Sequence, residues 1–302
     1  MIVHKKTVRL PQPFDLNTTV DSWIYPDIQP VPEVKTPGQW ARCIPIGAHL
    51  VPVRVQQLSH GPTPELQVEW SSNKRIQPAR VISKVEWLLG WDLDMRPVLR
   101  AINADPVIKH LVDTLMGLRP YSQPSLFEAL VKAILQQQVS FRSANQVTRQ
   151  LVLAYGSIQH LGRLEVYGFP TLEVLAPLSE ADLRACKLGY KAPYLVKLFQ
   201  DLAHGRFHLE DLRTLESPEA ITRLDALHGV GPWTAELTVL SGLRRLEVFP
   251  AGDLGARAII SKLYLEGQPA KRKDVERVSA RWGQVNTLVL YFLMSAQVLG
   301  LV

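Results

Sequence analysis

The stretch His228-Gly229-Val230-Gly231-Pro232 sets two glycines and a proline between two apolar stripes at helical spacing. Ser217-Pro218-Glu219 puts a capping serine ahead of a proline at the first helical position, which predicts a helix to Leu227 that stops at Gly229. Pro232 suits the first turn of the next helix, with Trp233, Leu237 and Leu240 on its face and Gly242 at its end. The residues between read as a tight hairpin. The glycines permit backbone conformations closed to other residues and let another molecule approach the main chain. The turn amides then point outward at the positive end of a helix dipole, where a phosphate oxygen binds without a cationic side chain. Such a contact grips a nucleic-acid strand without reading its sequence. A bare Gly-x-Gly also serves ordinary helix–turn–helix corners. The longer string Leu227-x-Gly229-Val230-Gly231-x-x-Thr234-Ala235 is more specific: Leu227 and Val230 pack the hairpin interior, and Ala235 lets the helices come close.

A chain of 302 residues with 46% hydrophobic content has material for two folded domains. No run approaches the ~18 apolar residues of a membrane span, and Ile2-Val3-His4-Lys5-Lys6 near the start lacks the apolar stretch of a secretory signal. A soluble intracellular protein is expected. Cys43 and Cys186 are the only cysteines, too few for a disulfide framework, an iron–sulfur cluster or a Cys-only zinc site, so no metal held by side chains is expected. Both read as packed, reduced thiols. The net charge of +6 suits a polyanionic partner without proving one, because the excess is spread thinly along the chain.

Twelve of the 22 prolines and five of the seven tryptophans precede residue 106. Long helices are unfavoured there. Val51–Val55 and Glu65–Trp70 alternate with period two around Gly61-Pro62-Thr63-Pro64, which predicts a small antiparallel β domain over 1–105 with a helix near 79–89. From 106 to 302 the pattern is helical. Ser125-Leu126-Phe127-Glu128 fits a capping box ahead of an apolar stripe, and a helix from Arg142 to Tyr155 has Gly156 as a left-handed stop. Ser179 opens a third helix, and Ala192–Leu202 stripes a fourth that ends near Gly205. Terminal helices are expected at about 254–265, 271–281 and 284–299. The fold class is α+β, with the helical region carrying the hairpin.

Phe249-Pro250-Ala251-Gly252-Asp253-Leu254-Gly255 leads into an apolar helix, so Asp253 reads first as an N-cap. It lies twenty positions after Trp233 (253 − 233 = 20). Hairpin and aspartate at this separation resemble the helix–hairpin–helix (HhH-GPD) DNA glycosylase superfamily, in its 3-methyladenine DNA glycosylase II, AlkA-like branch. The resemblance covers roughly 120–302, including Ala133-Ile134-Leu135-Gln136-Gln137-Gln138-Val139-Ser140 and Leu188-Gly189-Tyr190-Lys191-Ala192. It is weaker over 1–105, where the family carries an antiparallel β domain. It implies two helical subdomains around an active-site cleft.

The resemblance makes Asp253 the catalytic carboxylate and Gly229, Val230, Gly231, Trp233 and Thr234 the hairpin that holds the DNA backbone, with a monovalent cation possible at the phosphate contact and no other cofactor. Members that also cut the backbone carry a lysine at the place of Trp233, so this chain is expected to be monofunctional, removing a base with water. Lys191 and Lys262 are read as solvated surface amines. Gln138 matches the residue that fills the gap left by a flipped base; alternatively Gln136, Gln137 and Gln138 form a polar helix end that caps carbonyls. Trp233 and Tyr291 are the candidate base-pocket aromatics, or else core. The branch places an aromatic four residues after Trp233, and here stands Leu237, so part of the aromatic cage is missing or supplied from elsewhere. The implied partner is damaged double-stranded DNA, met by a monomer in the cytoplasm or nucleoid of a prokaryote. The implied reaction is excision of alkylated, 3-methyladenine-type bases. A glycosylase for 8-oxoguanine or hypoxanthine, and a hairpin protein that only binds DNA, are the alternatives.

Overall fold

The computed structural model describes residues 2–73 and 75–302. Strands β1 (Ile2–Arg9), β2 (Val34–Thr36), β3 (Gln39–Ile46), β4 (His49–Gln57) and β5 (Glu65–Ser72) form one antiparallel sheet in the order β1-β5-β4-β3-β2. The two alternating runs of the sequence are the middles of β4 and β5, paired Val53 with Trp70 and Val55 with Val68. Their inward residues pack against α1 (Leu16–Asp21) and α2 (Pro78–Leu89). Gly90 ends α2 at φ +66, and a Cβ there would stand 2.6 Å from the Pro120 carbonyl oxygen.

Helices dominate the remainder: α3 (Arg96–Ala104), α4 (Val112–Leu115), α5 (Leu126–Gln136), α6 (Phe141–Tyr155), α7 (Leu172–Leu175), α8 (Glu180–Ala185), α9 (Ala192–Ala203), α10 (Ser217–Asp225), α11 (Pro232–Leu243), α12 (Leu254–Tyr264), α13 (Arg272–Ser279) and α14 (Asn286–Val298). One element was not expected. Ser157–Leu161 and Leu164–Gly168 form a hairpin, β6–β7, turning at Gly162 with φ +64. It lies on the first sheet, where the Cys43 thiol, itself pushed up to about 12 by burial, meets the Val166 carbonyl at 3.4 Å. Gly156 is therefore not the left-handed stop expected of it. Its φ is −70°, and its bare Cα is needed because a Cβ would stand 2.4 Å from Val152 O and 2.5 Å from Gly168 O.

Three further readings are corrected at helix ends. Ser217 lies inside α10, and its hydroxyl donates to Glu247 rather than capping. Gly242 does not end α11, which runs to Leu243; it lies at the crossing with α5, where a Cβ would stand 2.8 Å from that of Ala129. Ser125 caps α5 by accepting from the Glu128 amide, but the Glu128 carboxylate does not return the bond, because Arg42 and Lys132 hold it.

Buried side chains gather into three large cores. One lies between the sheet, α1 and α2; a second among α5 to α11; a third among α3, residues 107–118 and α12 to α14. Among the described residues no helix is long and apolar enough to cross a membrane.

The first two cores are joined by a buried ionic cluster. Arg42 of β3 donates to Glu33, to Glu128 Oε2 at 2.7 Å and to the Tyr121 hydroxyl at 3.1 Å, while Lys132 reaches Glu128 at 2.8 Å. Burial opposes the charge on Arg42, yet the surrounding acidic groups hold its pKa well above the usual value. Burial likewise opposes ionised Glu128, but Arg42 and Lys132 outweigh it and bring that carboxyl below its ordinary 4.5. A depressed carboxyl adds stability above its unfolded value, and loses it as pH falls through the folded one. Arg42→Met leaves two carboxylates buried beside only Lys132 and is expected to cost about 3–5 kcal/mol at pH 7. In urea titrations its deficit against the unaltered protein should shrink below about pH 4.5, where Glu128 can protonate; a constant deficit would exclude this origin.

Candidate active site

A cleft of about 1360 Å³ opens where the three cores meet. Its walls come from α5, α6 and α11, from α12 and α14, and from the segment after α1. Asp253 stands on this wall as the N-cap of α12: Oδ1 accepts the Ala256 amide at 2.8 Å. Its other oxygen accepts the Trp233 indole N–H at 2.6 Å. Two donors from different helices thus fix the plane of the carboxylate. Gly255 leaves room beside it, since a Cβ there would come within 3.0 Å of Oδ1.

The hairpin between α10 and α11 is tight, with the Val230 amide bonded to the Leu227 carbonyl at 3.0 Å. The first intrahelical bond of α11 runs from Ala235 N to Gly231 O, so the Trp233 and Thr234 amides have no carbonyl one turn back. The two glycines do different work. Gly229 has φ +82, and a Cβ there would strike Tyr194 at 2.8 Å. Gly231 has φ −107 and would bring a Cβ into open space, so nothing inside the protein requires it to be bare. Val230 is buried in the second core, and the Thr234 side chain faces inward, so these two offer a partner only their backbone.

Gln137 was not singled out for this site, yet it carries the brace. Its Nε2 donates to Gly229 O at 2.8 Å and to Thr234 Oγ1 at 2.9 Å, tying the end of α5 to the hairpin. A glutamine behind an apolar stripe gives no sign of that in sequence. Gln138 follows, exposed and at φ +55, with its Oε1 accepting from the Tyr190 hydroxyl at 3.4 Å. Gln137 is the C-cap of α5 through its backbone, its N–H bonded to the Ile134 carbonyl at 3.1 Å, while the Leu135 carbonyl is taken by Lys191 Nζ at 2.7 Å. Lys191 is thereby corrected from surface to interior, 5% exposed, with burial pushing its amine down to about 8. Lys262 is exposed as expected.

Tyr291 lines the cleft, but its hydroxyl meets Ser22 Oγ and the Tyr121 amide, both at 3.3 Å, and so ties α14 to the first core and the segment after α1. Leu237 also lines the cleft, and aromatic surface comes from the other side. Trp23 stacks on Tyr121 with centroids 3.6 Å apart, and Tyr25 lies 5.9 Å from Phe141. Those residues all precede the hairpin by a long stretch of chain, and only the tertiary fold brings them in. The lysine on the cleft wall is Lys132, whose ammonium is engaged by Glu128. Among the described residues no group of three His, Cys, Asp or Glu could hold a metal ion.

Known proteins resemble this chain in sequence and in fold. The chain is 29% identical over 214 residues to a DNA-3-methyladenine glycosylase of Bacillus subtilis, covering 69% of this chain and 70% of that one. It is 36% identical over 197 residues to a probable bifunctional transcriptional activator/DNA repair enzyme AlkA of Mycobacterium tuberculosis, covering 65% of this chain but only 38% of that longer protein. In structure it matches a 3-methyladenine DNA-glycosylase from Archaeoglobus fulgidus with a TM-score of 0.85 and 28% identity, over 96% of this chain and 98% of that one. The family model for HhH-GPD superfamily base excision DNA repair proteins matches residues 131–284, which span the glutamine run, the hairpin and Asp253, and the chain belongs to that superfamily.

Proposed function

We propose that this protein is a monofunctional DNA N-glycosylase that flips alkylated, 3-methyladenine-type bases from double-stranded DNA into the cleft and hydrolyses the N-glycosidic bond. The observation that carries the reading is the carboxylate of Asp253, fixed at both oxygens on the cleft wall and linked through Trp233 to the hairpin helix. The names of the similar proteins support the substrate class.

Breaking the bond builds positive charge on the sugar, and a fixed carboxylate in a site that excludes water stabilises it most. Asp253 takes that part and orients the attacking water. An alkylated purine leaves as a neutral base from a cationic nucleotide and needs little help from an acid. The hairpin amides at Gly231, Trp233 and Thr234 hold a phosphate, a contact in which a monovalent cation can share; the reading asks for no other cofactor. Gln138 projects into the gap in the duplex. The rings of Trp233, Trp23 and Tyr291 form walls against which an electron-poor base stacks. The protein acts inside the cell, as a monomer.

Asparagine is as good a helix cap as aspartate. Asp253→Asn keeps the cap on Ala256 but turns its amide N–H toward the Trp233 indole and loses that bond, so it should fold at a cost of about 1–3 kcal/mol and still bind damaged duplex while base release falls at least about a hundredfold; comparable turnover in single-lesion duplexes, scored for alkali-labile strand breaks, would remove Asp253 from the mechanism. The same panel, with 8-oxoguanine and hypoxanthine included, reads the substrate class. Borohydride added during turnover should trap no protein–DNA adduct, because the cleft lysine is ion-paired and Lys191 caps a helix; a strong adduct would identify an amine nucleophile. The hairpin glycines separate in a paired measurement. Gly231→Ala should leave thermal unfolding unchanged and weaken duplex binding, whereas Gly229→Ala should cost about 1–3 kcal/mol of stability; equal behaviour would contradict the proposed phosphate contact.

A further inference from the structure

Three successive glutamines leave the end of α5 in three directions. Gln137 turns to the hairpin and Gln138 to solvent. Gln136, the last residue of the helix, lines the cleft, and its carboxamide has no hydrogen-bond partner among the described residues. The rest of that helix face offers little to an occupant. Ala129 and Ala133 line the cleft as small side chains that leave space, and Lys132 uses its ammonium on Glu128 at 2.8 Å and Gln123 at 3.3 Å. Gln136 therefore carries the hydrogen-bonding group that α5 leaves free toward the cleft. It also stands few bonded steps from the carboxylate: its neighbour Gln137 holds Thr234, whose neighbour Trp233 holds Asp253.

Resting on the glycosylase reading above, we propose that Gln136 is a specificity-determining residue that hydrogen-bonds the edge of the flipped purine. A carboxamide sets an acceptor beside donors. It pairs bidentately with an amino group next to a ring-nitrogen acceptor, as glutamine does with adenine. Turned over about its last torsion, the same group meets a carbonyl beside a ring N–H. Gln136 thus admits both 6-amino and 6-oxo purines, and one side chain sets the balance between them.

Glutamate at this position only accepts: against a 6-amino edge one oxygen takes the amino N–H while the other faces a ring-nitrogen lone pair, whereas on 7-methylguanine both oxygens accept, from N1–H and the 2-amino group. Duplex DNA treated with dimethyl sulfate carries 3-methyladenine and 7-methylguanine together, both on cationic nucleotides, so a changed side-chain charge acts alike on the two. The released bases are separated and their rates compared. Gln136→Glu should lower the 3-methyladenine to 7-methylguanine ratio of kcat/KM about tenfold. Gln136→Leu should lower both about tenfold while leaving affinity for an abasic duplex, which has no base to read, unchanged. An unaltered ratio in the Glu variant, or an equal loss of abasic-duplex affinity in the Leu variant, overturns the assignment while the glycosylase reading stands. Failure of the unaltered protein to release either base overturns both.

Discussion

Arg42 lies almost wholly out of water between two carboxylates that come from different parts of the chain. A buried guanidinium tolerates that only with both partners in place, because desolvation of any one ion exceeds what a single contact returns. Glu33 belongs to the β domain and Glu128 to the first turn of α5, so satisfying the charge fixes the sheet against the helix. Everything at the other end of α5 inherits that position: the three glutamines, the wall beside them, and the hairpin they support. Geometry in the cleft is set by an ion cluster that touches its floor through Glu33, Tyr121 and Lys132.

From α5 the order passes through neutral hydrogen bonds. Gln137 holds Gly229 and Thr234; Trp233, next in chain, holds Asp253; Asp253 in turn caps α12. The hairpin proposed to grip a nucleic-acid backbone and the carboxylate proposed for chemistry are thus parts of one bonded path between the second and third cores. A shift of the hairpin would turn the carboxylate with it. This is the structural sense of the fixed spacing between Trp233 and Asp253: the intervening chain must leave α11, cross to the third core and return an aspartate to the indole.

Local signals were legible where one stretch of chain settles its own conformation. The strand pair at β4 and β5, the span of α2 and α6, the hairpin at Gly229 and the cap at Asp253 all follow from periodicity, glycine and capping chemistry. The misses arise where distant neighbours decide. Gly156 and Gly242 are bare for packing against other elements, and their dihedrals are ordinary for their positions. The β6–β7 hairpin had its signal, alternation about Gly162, but it sits inside a helical region and owes its place to the sheet it lies on. Lys191 looks like a surface lysine until the open end of α5 comes to lie over it. The aromatic side of the cleft, Trp23 and Tyr25, lies about two hundred residues from Trp233 in sequence.

Gln138 holds a left-handed backbone that a residue with a Cβ adopts only at a cost of about 1–3 kcal/mol. Glycine at 138 would relieve that strain, and asparagine, which tolerates the conformation better, would ease part of it. Both would also shorten or delete the side chain that points outward beside the hairpin. Thermal robustness and reach therefore oppose each other at this one residue. Selection for heat resistance alone would favour small residues at position 138, where this chain carries a long one.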